Sequence, residues 1–174
     1  HQSAPAVDPA RLDGVTDLQI DLDVLDTFAL AEDRAGFAIG ILAARSESSG
    51  ATLALSDMHK TAAQQLVSIA DNAAASQKNG SVNHDDPRHK AYAIDTLLAH
   101  PSTIEDTPSG RVVPTTSAIE MDCARTEITA VATAIEHGTH TDAATLRILA
   151  ALAAKHAYTA MQLGYPSDDA ALFV

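Results

Sequence analysis

Tryptophan is absent, and Phe and Tyr together make up only 3% of the residues. A core without large rings has to be filled by Ala, Leu, Ile and Val. Alanine in this abundance favours closely packed helices, because it is the best intrinsic helix former. Cys123 is the single cysteine, which excludes an intrachain disulfide. A lone helical cysteine of this kind reads as a small buried hydrophobe. Basic residues are scarce, 11 Lys and Arg against 23 Asp and Glu, for a net charge of −12. That balance argues against nucleic acid, since neutralising phosphates needs a basic patch, and against an anionic membrane surface. No apolar run approaches the ~20 residues of a membrane span. A glycine-rich phosphate loop, a nucleophile elbow and a Cys–His pair at readable spacing are all missing as well.

What is present suffices for one domain: 174 residues, 46% of them apolar. Residues 1–16 read as a flexible Pro- and Ala-rich leader, of the kind left when an export signal is removed, and 17–174 as a single domain. The stretch Leu18, Ile20, Leu22, Val24 alternates like a strand, but no second strand follows, so it reads as the entry to a helix. From Asp23 the period becomes helical, with Leu25, Phe28, Ala35, Ile39 and Leu42 on one face as far as Ser46. "SESSG" is a turn in which Ser48 or Ser49 caps a second helix reaching Ser76. The connection after it holds a solvated loop, "NHDDPRH", then a short amphipathic helix in "HKAYAIDTLLAH" that Pro101 stops. "PSTIEDTPSGRVVP" reads as loop. Ser117 and Glu120 have the spacing of a capping box opening a third long helix, with Met121, Ala124, Ile128, Val131 and Ile135 as its stripe. Thr141 or Asp142 caps a fourth, along Leu146, Leu149, Ala153, Ala160 and Leu163, and an apolar tail follows. The expected fold is all-α: a ferritin-like four-helix bundle with a long second-to-third connection carrying a short extra helix.

Each stripe contains or borders one polar residue. In the first helix, Glu32 fills the step between Phe28 and Ala35. In the second, "SDMHKTAAQQL" places His59 in the series Leu55, Ala62, Leu66, Ile69. In the fourth, His156 lies between Ala153 and Ala160, and in the third Glu127 flanks the stripe one turn from Ala124. With the second and third helices parallel, these four fall at similar heights along the bundle. Buried carboxylates neutralise or find partners. Two Glu and two His converging make a ligand set for a divalent transition metal, with Zn, Fe, Mn and Cu all compatible. The competing reading is a metal-free hydrogen-bonded Glu–His cluster. "EHGTHTD" (Glu136 to Asp142) reads as a polar turn in which His137 complements the helix C-terminus.

"ATLALSDMHKTAAQQLVSIA", through Asp57, His59, Ala63, Leu66 and Ala70, resembles a helix of an uncharacterised family of bacterial exported proteins, often labelled predicted outer-membrane proteins. "AIGILAARS" and "LRILAALAAKHAYTAMQL", around His156, are similar to two further helices of that family. The resemblance spans most of residues 25–164 and implies a ferritin-like bundle in the periplasm or outside the cell. Gly36 occupies the family's acidic position, with Glu32 one turn earlier. The Glu-x-x-His motif of di-iron ferritins is missing, because Ser56 and Ala153 stand three residues before His59 and His156. A ferroxidase is therefore disfavoured. The functional expectation is a non-enzymatic protein whose partner is a metal ion, held by Glu32, His59, Glu127 and His156, with a role in metal handling or stress. A metal-free envelope structural or interaction bundle is the alternative, and a weak metal-dependent oxidase a second. The sequence is also compatible with a homo-oligomer.

Overall fold

The structure is a computed structural model that describes residues 12–77, 84–138 and 140–167. Helical periodicity governs it. The chain forms α1 (Leu22–Arg45), a 3-10 turn (Glu47–Ser49), α2 (Leu53–Ala75), a single-turn α3 (Asp95–Ala99), strands β1 (Thr103–Asp106) and β2 (Arg111–Pro114), α4 (Thr115–Glu136) and α5 (Ala143–Gln162). The four long helices make an all-α bundle. Along α1 the expected stripe is buried throughout, Glu32 included. The alternating stretch before it packs as irregular chain, with Leu18 and Ile20 in the core. Leu12 and Val15 pack there too. Residues 1–11 of the expected leader, and the apolar tail past Ser167, lie outside the described residues.

Apolar clusters fix the helix directions. One joins the start of α1 (Leu25, Phe28), the end of α2 (Leu66, Ile69), the end of α4 (Ala134) and the start of α5 (Leu149, Leu152). Another joins the end of α1 (Ile39, Leu42) to Leu55 at the start of α2 and Ile119 at the start of α4. A third pairs Ala118 and Met121 with Ala157 and Ala160 near the end of α5. Hence α1 and α5 run one way and α2 and α4 the other. The connection from α2 to α4 must return the chain across the length of the bundle, and its nearly 40 residues allow that.

Three expectations for local structure are corrected. First, the connection's main regular element is an antiparallel hairpin, not a helix: β1 pairs with β2, Ile104 opposite Val113, in the segment read as loop. The expected helix shrinks to the turn of α3. Second, "NHDDPRH" is not simply a solvated loop. His84 donates to Asp26 and Asp71, both at 2.7 Å, and so fastens the connection to α1 and α2. Third, no capping box opens α4. The helix starts three residues earlier than that motif requires, after Pro114, and Ser117 Oγ donates back to the Pro114 carbonyl at 2.6 Å. Glu120 is thus inside the helix, with its carboxylate turned to the core. The cap of α2 is Thr52 rather than Ser48 or Ser49, while Asp142 caps α5 as expected. Among the described residues, no helix is long and apolar enough to cross a membrane.

Candidate metal centre

The site begins with how closely α1 and α2 approach. Gly36 and Gly40 face Ser56, whose hydroxyl donates to the Gly36 carbonyl at 2.6 Å. A Cβ on Gly36 would lie 3.0 Å from the Ser56 carbonyl oxygen and 3.1 Å from His59 Cβ. A glutamate at position 56 could not fit this contact. The small residues that bring the helices together therefore also explain why the Glu-x-x-His motif is missing on α2.

The close approach delivers His59 to the bundle axis, where it stacks on His156 from α5 with ring centroids 4.5 Å apart and planes 17° apart. Carboxylates line both edges of the stack. On one edge Glu32 accepts from His59 Nδ1 at 2.6 Å and from His156 Nε2 at 2.5 Å. On the other, Glu120 accepts from His59 Nε2 at 2.5 Å and from His156 Nδ1 at 3.1 Å. Glu32 and Glu120 thus each link the two imidazoles, one from either edge of the stack.

A ring whose two nitrogens both donate is an imidazolium. Burial opposes that charge on each histidine, but the facing carboxylates outweigh it, raising His59 to about 10 and His156 in the same direction. Burial likewise opposes charge on Glu32 and Glu120, and the two histidines overcome it, holding both carboxyls below the usual range. Two cations and two anions close a buried, charge-balanced ring.

Glu127 is outside that ring. It is fully buried, no N–H or O–H donor meets either carboxylate oxygen, and Oε1 lies 3.7 Å from His156 Nε2, on the edge occupied by Glu32. Burial, then the charge of Glu32 and a hydrogen bond to its carboxylate, then the charge of Glu120, push its pKa well above the carboxylate range. Cys123 is on the same helix face. The ligand atoms offered by Glu32, His59, Cys123 and His156 all lie within 4.8 Å of one another. This buried cluster has the geometry and donor types of a divalent transition-metal site.

All four residues expected from the sequence thus meet at one place: Glu32, His59 and His156 through direct contacts, Glu127 beside them. Glu120 was missed, while Cys123 is buried in an apolar cluster as expected and its sulfur also reaches the site. The signal that could have found Glu120 is spacing. Positions 120, 123 and 127 are three and four residues apart, so they share one face of α4. Among its described residues, "EHGTHTD" joins no such cluster.

The core is reached from two directions. A cleft of about 310 Å³ between α2 and α5 has Glu32 and His156 in its lining, with Asp57, Met58 and Lys155 also along it. A larger groove of about 1120 Å³ between α1 and α4 is lined in part by Cys123. Comparison with family models, curated proteins and solved structures finds no match to this chain.

Proposed function

We propose that this protein binds a divalent transition metal inside its bundle and serves in metal handling. The ligands are Glu32, His59, Glu127 and His156, and Glu120 holds the outer nitrogens of both imidazoles. That division follows the common arrangement in which a ligating histidine gives its other N–H to a carboxylate, which fixes the ring's orientation. The observation that carries the reading is Glu127. A fully buried carboxyl with two unpartnered oxygens is costly in a finished core. Placed 3.7 Å from a histidine nitrogen, it suits a cation that would use it. The charges agree: a divalent ion can replace the protons of two imidazoliums without changing the charge of the ring. The donor set comes from one chain, so no second copy is needed to complete it.

Two helix pairs joined by one crossing connection, with α2 and α4 parallel, support a ferritin-like reading of the topology. An exported, envelope-located role rests on the family resemblance of the sequence.

A second reading is favoured by a specific feature. The His59–Glu32–His156–Glu120 ring is closed without any metal, as a metal-free structural bundle would have it. Elemental analysis separates the two. Protein purified without a polyhistidine tag and dialysed against Zn(II) is expected to retain one ion per chain, and a His59→Ala/His156→Ala double variant to retain none. Equal metal in both proteins would remove the internal site. Oxygen uptake with added Fe(II), no faster than without protein, is the result expected for a binding protein rather than an oxidase.

A further inference from the structure

We infer that Cys123 is a thiolate ligand of this site, and that the site therefore takes a thiophilic divalent ion, of the zinc, cobalt or copper type, in preference to manganese, magnesium or calcium. The inference rests on the proposed metal-binding function and narrows it. Cys123 lies on α4 between Glu120 and Glu127, three residues from one and four from the other, so its side chain leaves the helix on the face that carries both. Its sulfur is within 4.8 Å of ligand atoms on Glu32, His59 and His156, which come from three other helices. The neighbouring Glu127, fully buried with both oxygens unpartnered, independently indicates that this point of the core accommodates a cation.

Cys123 is itself a member of the apolar cluster with Ile39, Leu42 and Ile119, where an alanine or valine would pack as well. A cysteine at this position adds a sulfur beside the ligand atoms of Glu32, His59 and His156. As the metal–sulfur bond forms, the thiol proton leaves to solvent, and no oxidant or reductant is required. A thiolate added to the two imidazoles and the carboxylates of Glu32 and Glu127 makes a borderline donor set, whereas Mn, Mg and Ca prefer oxygen ligands.

Cobalt(II) tests this directly, because a cobalt–thiolate bond gives an intense near-ultraviolet charge-transfer band that nitrogen and oxygen ligands do not. Metal-free, untagged protein is titrated anaerobically with Co(II), alongside the Cys123→Ser variant, and bound cobalt is counted separately by elemental analysis. The expected result is one bound cobalt with the sulfur band in the natural protein, and loss of the band in Cys123→Ser. Zinc affinity in the variant should fall by at least the roughly tenfold that losing even an outer-shell partner costs. Cobalt bound by the natural protein without the band overturns the thiolate ligand and leaves the metal site standing. No bound cobalt overturns both. The spectrum of the natural protein alone decides the ligand, so the outcome stands even where the variant does not fold.

Discussion

Glu127 shows what a single residue costs this fold. Its carboxyl is pushed toward the neutral form by burial, by the charges on Glu32 and Glu120 and by a hydrogen bond to Glu32, and no donor reaches either oxygen. Glu127→Leu removes a buried unsatisfied group at similar volume. Metal-free protein carrying it should be more stable by about 1–3 kcal/mol, the usual penalty for such a group. It should also bind divalent metal far more weakly. Urea denaturation of the metal-free proteins checks the first part, and unchanged or reduced stability would count against a functional burden at this position. Residues of this kind were unequally legible in the sequence. Glu32, His59 and His156 each interrupt a regular apolar series, so the break itself marks them. Glu120 does not, because Ser117-x-x-Glu120 has the spacing of a capping box. The apolar series on that helix is only partly inward: Met121 and Ala124 are buried, but Ile135 is 55% exposed, while Glu120, Cys123 and Glu127 are buried.

At the scale of elements, the α1–α2 contact sets the position of His59. A methyl at Gly36 would meet the Ser56 carbonyl oxygen at 3.0 Å and His59 Cβ at 3.1 Å, and neither can rotate away. Gly36→Ala should therefore push the two helices apart, with a loss of about 1–3 kcal/mol as for other overpacked interiors. It should weaken metal binding as well, since His59 moves with α2. Thermal denaturation together with a zinc titration measures both, and a variant with natural stability and affinity would show that this contact does not position the site. Gly40→Ala is a milder comparison, because there the Cβ meets the Ser56 hydroxyl, which can turn. The long helices were readable because their periodic faces are extended. The hairpin was not. Its strands have four residues each, too few to establish an alternation, and Asp106 and Val113 are the only buried positions in them. What secures it is distant in sequence: Asp106 accepts from Arg125 on α4 at 2.9 and 3.0 Å and from Tyr165 beyond α5.

For the whole molecule, the ring couples folding, protons and metal. The histidines, raised to about 10 for His59 and in the same direction for His156, stabilise the fold fully below their ordinary value of 6.5. That contribution is lost as pH rises through about 10. The lowered carboxyls of Glu32 and Glu120 contribute fully above their ordinary value of 4.5, and less as pH falls. Raised Glu127 adds to the alkaline decline, because between 4.5 and its folded pKa the folded state holds a proton that the unfolded chain has released. Metal-free stability should therefore peak near pH 4.5, decline above it, and fall more steeply from about pH 6.5 toward pH 10 in urea titrations. Metal should act in the opposite sense. It must displace the imidazole protons, so its stabilising effect should be larger at pH 8 than at pH 6. A thermal shift with zinc that is constant across those two pH values would disagree.

In the proposed site one divalent ion takes the place of protons in a ring built by four helices. Titration calorimetry of metal-free, untagged protein with Zn(II) at pH 7, in two buffers of different ionisation heat, counts ions and protons together. The expected result is saturation at one ion per chain, with release of at least two protons for each ion bound. No saturable binding, or binding with no proton release, would contradict it.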